Sequence, residues 1–321
     1  MSTCLSVIIP IFRVEAYIER CTRSLMEQTL DDIEFIFVDD CSPDASIAVL
    51  QRVLNDYPER QGQVRVLRHT ENRGLPAARN TGLAAANGDY IFHCDSDDFL
   101  ERDALASMYE AAVKNEADIV YTDWYLNYPG NERLMRCPAY NTPEEALRGL
   151  LHGTMKYNVW NKLVKRELYN ENENGNVSFP AGHGMGEDMT MILLFAKAGR
   201  VAYLPKGTYH YVRQNENAFT AARSEVSYDD MRFNAERIIR ALEGRVPDED
   251  LACFKLNVKF PFLISNRRED YERWQTWFPE ANNMIPNHKV STRARMLERC
   301  AAHRLYAPLK LHHLLLQVTQ R

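Results

Sequence analysis

Short apolar runs alternate with stretches of helical spacing through the first third of the chain. Ser6-Val7-Ile8-Ile9 is rich in β-branched residues and stops at Pro10, and residues 33–38 form a second apolar run closed by Asp39-Asp40. Residues 64–67, 90–94 and 119–122 read as three further strands. Between them, residues 15–28, 45–56, 76–86 and 103–115 repeat apolar positions at the helical period, with Asp44 as a candidate N-cap and Pro76 suited to a first turn. Strands alternating with helices predict an α/β fold, with a mostly parallel central sheet covered by helices on both faces.

The alternation fades after residue 125. Residues 141–152 read as a helix opened by Thr142-Pro143, with Glu145 placed to complete a capping box. A polar loop over 170–176 and a glycine-punctuated stretch over 180–186 lead to a helix expected at 188–197. From residue 227 the pattern is mostly helical, broken by Pro247, Pro261, Pro279 and Pro286. Over 305–318 apolar residues recur beside Arg304, Lys310, His312 and His313, which suits either a helix packed on the protein body or a basic amphipathic helix at a membrane surface.

Composition narrows the classes of function. With 321 residues, 45% hydrophobic and 26% charged, the chain can build a core large enough for an enzyme. A net charge of -5 argues against a nucleic-acid partner. Seven scattered cysteines without a Cys-x-x-Cys pair read as free thiols, and no apolar run reaches the roughly 20 residues that cross a bilayer. The N-terminus runs directly into a strand without the features of a secretory signal, so a cytoplasmic location is expected.

In open α/β sheets ligands bind beyond the carboxyl ends of the strands, and the polar residues fall there. Asp39, Asp40 and Ser42 follow the second strand, Asn72-Arg73-Gly74 follows the third, and Asp95-Ser96-Asp97-Asp98 follows the fourth. Clustered carboxylates repel one another unless a cation lies among them, and Mg2+ or Mn2+ takes oxygen ligands while leaving positions for phosphate. An acidic helix N-terminus explains the same cluster equally well. Asp39 suits a hydrogen bond from a base N–H, but Asp40-Cys41-Ser42-Pro43 also suits a plain Asx turn. Arg79 suits a base or a phosphate, or an internal ion pair.

Four linked segments resemble the nucleotide-sugar half of glycosyltransferase family 2. They are residues 5–12, residues 37–44, residues 72–83 and Asp95-Ser96-Asp97-Asp98, in family order and at family-like spacing. The resemblance covers residues 5–220 and implies a nucleotide-diphospho-sugar transferase fold of the GT-A type; the residue pattern beyond it predicts a mostly helical C-terminal region. The implied organisation is a nucleotide-sugar-binding half at 1–124, an acceptor-binding half at 125–222 and a helical region at 223–321. By position, Pro10, Phe12, Glu15, Asp39, Ser42 and Arg79 are expected around the nucleotide, Asp95 and Ser96 toward ribose and sugar, and Asp97 on Mn2+ or Mg2+. Two departures stand out: Phe12-Arg13 replaces the family's usual Tyr-Asn, and Cys41 stands where glycine is usual.

Glu187-Asp188 resembles the family's Glu-Asp motif, which makes Asp188 the expected catalytic base and Glu187 an orienting or acceptor-binding group. An acidic helix start is the plainer reading of the same pair. Trp160 and Lys162 resemble the acceptor-side segment, while His210 and Arg213 stand where family members return residues to the diphosphate. The implied activity is inverting transfer of a sugar from a nucleoside diphosphate donor, expected to be a UDP-sugar, to a glycan or lipid-linked hydroxyl in polysaccharide, capsule or lipopolysaccharide assembly. The implied place is the cytoplasm, including the inner face of the cell membrane through the C-terminal helix. A nucleotidyltransferase of the same fold and a noncatalytic sugar-binding module are the rival readings; neither needs a base at Asp188.

Overall fold

A computed structural model of the chain describes residues 3–170, 176–213, 225–265 and 267–319. The expected loop at 170–176 and the expected boundary at 222 therefore lie largely outside the described residues. The chain divides into two compact units, one of residues 1–146 with 157–234, the other of 147–156 with 235–321.

The first unit is built on a mixed sheet of nine strands: β1 (Leu5–Ile11), β2 (Ile33–Asp39), β3 (Val64–Arg68), β4 (Tyr90–His93), β5 (Phe99–Leu100), β6 (Ile119–Tyr128), β7 (Asn131–Met135), β8 (Lys162–Lys165) and β9 (Val201–Val212). Their order is β3-β2-β1-β4-β8-β6-β9-β5, with β7 paired to β6. The two strands β1 and β2 are buried along their whole length, while edge strand β3 is half-buried to exposed throughout. That difference follows from position, since a parallel strand covered on both faces must be apolar throughout. Strands β1 to β4 are mutually parallel, so their carboxyl ends lie along one sheet edge.

The sheet is not parallel throughout. Strand β8 runs antiparallel between β4 and β6, and β5 pairs antiparallel with β9. Short β8 and irregular β9 carry weak period-two signals. In β9 the break at Pro205-Lys206-Gly207 coincides with register shifts opposite Thr122 to Trp124.

Helices α1 (Ile18–Met26), α2 (Ser46–Leu54), α3 (Leu75–Ala85) and α4 (Ala104–Asn115) match the expected helices within a turn. Asp44 serves the start of α2, its Oδ1 accepting from Ser46 N at 3.1 Å. Helix α5 (Pro143–Leu151) begins with a capping box in which Thr142 Oγ1 accepts from Glu145 N, and Glu145 reaches back to Asn141 N. Helix α6 (Thr190–Lys197) follows a 3-10 turn at Glu187–Met189, and α7 (Glu225–Leu242) contains the division between the units.

The second unit is helical, with α8 (Asp248–Lys259), α9 (Arg268–Thr276), α10 (Thr292–Ala302) and α11 (Tyr306–Thr319). Its interior holds polar pairs: His288 and Glu298 are fully buried at 2.8 Å, and Lys259 Nζ donates to Trp277 O and Asn282 Oδ1. Helix α11 buries Leu309 and His312 but exposes Leu311, Leu314 and Leu315. Among the described residues no helix is long and apolar enough to cross a membrane.

Candidate functional site

The loops beyond β1, β2 and β4 are tied together by side chains that the sequence places near a nucleotide. Pro10 O accepts from Ser96 Oγ at 2.6 Å, and Ser42 Oγ accepts from Arg13 N at 2.8 Å while donating to Asp44 Oδ1. Glu15 Oε2 accepts from Ala45 N. Ser42, Ser96 and Glu15 are thus braces of the loop scaffold. Phe12 is 38% exposed, with the Arg13 guanidinium 5.2 Å from its ring centre, and presents the open aromatic face of this edge.

Asp39 and Asp40 divide their work. Asp39 is buried, accepting from Ser42 N through Oδ1 and from Arg68 Nε through Oδ2, both at 2.8 Å. Asp40 accepts from the backbone N–H of Arg73 and Gly74 and from Asn72 Nδ2, and it pairs with His69 Nδ1 at 2.6 Å. One carboxylate therefore shapes the whole Asn72-Arg73-Gly74 turn that starts α3. A buried carboxylate is stable only when its oxygens are filled in this way.

Arg79 projects from α3 and joins the two acidic motifs. It is 2% exposed, donating to Asp95 Oδ1 at 2.8 Å and lying 3.7 Å from Glu187 Oε1. Its guanidinium also faces the Phe179 ring at 5.7 Å, and Asn80 fixes Phe179 by hydrogen bonds to both its N–H and its carbonyl. Behind it His93 is buried, and burial together with the Arg79 charge pushes its pKa well down, so this imidazole is neutral.

The acidic cluster separates into distinct environments. Asp98 is buried, with Oδ2 accepting from Tyr209 Oη at 2.8 Å and Oδ1 from Val212 N at 2.8 Å; burial and the Asp97 and Asp95 charges push its pKa well up. It ties the loop between β4 and β5 to β9 and is buried. Tyr209 Oη also accepts from Asp95 N. Asp95 and Asp97 are half-buried at the strand end.

Glu187 and Asp188 sit in the 3-10 turn after Gly186, whose φ of 86° is left-handed. Burial and the Asp188 charge push Glu187 up to about 8, while burial pushes half-buried Asp188 up to about 6 against the pull of Arg79 and Lys162. A carboxylate near 6 is ionised at neutral pH yet basic enough to accept a proton. Lys162 is 1% exposed, donating to Asn158 O and Asn161 Oδ1, and burial lowers it to about 8. Its charge acts on Asp188 from inside the fold.

Of the remaining expected residues, Trp160 and His210 are buried in aromatic stacks and Arg213 is exposed. Trp160 is 7% exposed, stacked on Tyr209 at 4.6 Å and Tyr211 at 5.4 Å, with Trp124 at its edge. His210 lies stacked against Phe99 and Tyr125, with Nε2 at 2.8 Å from Glu101 and Nδ1 at 3.0 Å from Glu132. Arg213 is exposed at the end of β9, its backbone N–H on Asn127 O. Tyr209 and His93 are site-building residues that sequence reasoning missed, because their roles depend on β9 and on Arg79 being buried near His93.

Among the described residues no group of three His, Cys, Asp or Glu side chains is arranged to hold a metal ion. The donor chemistry nonetheless fits a cation held by one or two carboxylates with diphosphate oxygens completing its shell, since Asp95 and Asp97 are both half-buried at the strand end.

The sequence profile of glycosyl transferase family 2 matches residues 6–191. The uncharacterized glycosyltransferase EpsJ of Bacillus subtilis is 35% identical over 281 residues, spanning 83% of this chain and 78% of its own. The crystal structure of S. aureus TarS 1–349 in complex with UDP-GlcNAc superimposes with a TM-score of 0.72 at 21% identity, covering 98% of this chain and 92% of that one. Mannosyltransferase PcManGT from Pyrobaculum calidifontis, in complex with GDP-Man and Mn2+, gives a TM-score of 0.52 at 18% identity over 97% of this chain and 83% of that one. Both likenesses bear on the fold, which is of the GT-A type. Because the profile runs through more than half of the chain, this protein belongs to glycosyltransferase family 2 and is a glycosyltransferase.

Proposed function

We propose that the enzyme transfers a sugar with inversion from a UDP-sugar to a hydroxyl of a glycan or lipid-linked acceptor in polysaccharide, capsule or lipopolysaccharide assembly. The observation that carries this reading is the line Asp95–Arg79–Glu187, which brings the acidic strand end beside the Glu187-Asp188 turn. The UDP preference rests on likeness to TarS, which binds UDP-GlcNAc.

In this reading Asp188 removes the proton from the acceptor hydroxyl as that oxygen attacks the anomeric carbon. The bond from that carbon to the diphosphate breaks on the opposite face, and the nucleoside diphosphate leaves. Glu187, pushed up to about 8 and so mostly protonated at neutral pH, orients the acceptor or the donor sugar. Asp97, with Asp95, would hold Mn2+ or Mg2+, which when bound neutralises charge on the departing diphosphate. Phe12 and Asp39 stand at the strand ends for the base, and Lys162 acts by holding the charge of Asp188. We further infer that the enzyme works at the inner face of the cell membrane and touches it through α11.

Asp188→Asn should lower turnover of the matching UDP-sugar at least 100-fold, with nucleotide binding kept. Turnover at the wild-type rate would overturn the assignment of the base.

A further inference from the structure

The turn that carries Glu187 and Asp188 has internal backbone hydrogen bonds from His183 N to Pro180 O, Glu187 N to Gly184 O and Met189 N to Gly186 O, which leave the N–H groups of residues 184 and 185 to be satisfied elsewhere. Gly182 and Gly186 both have left-handed φ, at 84° and 86°, and glycine has the largest backbone freedom to lose on folding. The N–H groups of residues 184 and 185 need acceptors, and neither is supplied by a strand or a helix ladder. They find one on α7. Asp230 Oδ2 accepts from Gly184 N at 2.9 Å and from Met185 N at 3.4 Å, while Oδ1 lies 3.1 Å from His183 Nδ1. One turn further along, Asn234 Nδ2 donates to His183 O at 3.2 Å, to Met185 O at 3.1 Å and to Asp230 O at 3.1 Å. Between the two, Phe233 stacks on the His183 ring at 3.7 Å.

The spacing is what a helix provides: positions four apart share a face, so one carboxylate and one amide reach the same short segment together. Asp230 is 8% exposed and Asn234 fully buried, so both bonds form where water competes little. The fit is close as well, since a Cβ at Gly186 would lie 3.2 Å from Met189 Cε and 3.6 Å from Asn234 Cβ. A carboxylate gripping two backbone N–H groups and an amide gripping the carbonyls beside them leave residues 183–186 few alternative conformations.

We propose that Asp230 and Asn234 are positioning residues for the reaction: they fix the turn from which Glu187 and Asp188 project, and so set the place of the base. This rests on the reading of Asp188 as base. Neither residue touches substrate in this scheme, and both act through the backbone of 183–186. Their removal lets the glycine-rich turn sample other conformations, which separates the base from the acceptor without disturbing the nucleotide loops beyond β1 and β2.

The test compares Asp230→Asn, Asn234→Ala and Asp188→Asn in the full chain, with UDP-sugar turnover and UDP affinity measured separately. Expected are a fall in kcat of tenfold or more for Asp230→Asn and Asn234→Ala with UDP affinity within twofold of wild type, and a displaced acid limb of the kcat profile. Amide hydrogen exchange at Gly184 and Met185 should accelerate at least tenfold in Asp230→Asn while exchange in α6 is unchanged, a readout that stands without activity. Should Asn234→Ala fail to fold, Asp230→Asn, which keeps side-chain volume, carries the test. Turnover abolished in Asp188→Asn but within twofold of wild type in both helix variants, or exchange unaltered at Gly184 and Met185, overturns the proposal alone. Turnover surviving Asp188→Asn removes the base and the proposal together.

Discussion

Arg13 and Cys41 carry φ angles of 55° and 57°, a left-handed backbone that side chains with a Cβ adopt at a cost. These are the two positions where the sequence departs from the family's usual asparagine and glycine, residues that tolerate this conformation. Cys41→Gly should therefore raise stability by about 1 kcal/mol, or roughly 2 °C in thermal melting; a lower melting temperature would show that Cys41 is held by contacts worth more than the strain. At the Glu187-Asp188 turn the sign of the pH dependence follows from the proposed role of Asp188 as base. Its pKa is raised to about 6, and a base works only when ionised, so kcat should be constant above neutrality and fall as pH drops through about 6. A profile flat down to pH 4.5, near the ordinary carboxylate range, would contradict the burial of this group.

At the scale of elements, the site depends on how closely α3 lies on β1. Gly82 permits this approach, because a Cβ there would fall 2.4 Å from Ile8 Cγ2 in the buried centre of the sheet. Gly82→Ala should destabilise by ~1–3 kcal/mol, through overpacking that moves either the helix or Ile8, and thermal melting reads it directly. Because Arg79 sits one turn earlier on the same helix, the same variant should weaken turnover as the Asp95–Arg79–Glu187 line shifts. Melting unchanged from wild type would mean that Ile8 adjusts freely. The first four strands and helices were legible in the sequence because each apolar run has one period over its length. Strands β8 and β9 were not, since four residues in one and a proline with a bulge in the other leave no clean period. With β9 unseen, the bond from Tyr209 to Asp98 had no visible partner.

At the scale of the whole molecule, charge and apolar surface are unevenly spread. Helix α11 exposes Leu311, Leu314 and Leu315 at 54–60%, beside the exposed Lys310, whereas the chain as a whole is acidic. Such a face suits an anionic lipid surface, where apolar burial and basic charge act together. If it does so, Leu311→Ser with Leu314→Ser should reduce cosedimentation with phosphatidylglycerol vesicles several-fold and leave melting unchanged. Equal sedimentation of variant and wild type would remove the membrane from the scheme.

The sequence by itself determined the α/β class, the strand ends at which polar residues gather and, through four linked segments and the Glu-Asp pair, the family. Those features are local: apolar periodicity and short motifs are written in neighbouring residues. Tertiary structure alone decided the duties within the motifs. Asp98 became a tie between the loop after β4 and β9 and Arg79 a bridge between two acidic segments, while Trp160 and His210 joined aromatic stacks. The physical reason is that a polar side chain's role is set by the partners that satisfy it when buried. For Asp98, His69, Phe179 and the 183–186 turn those partners lie far away in sequence.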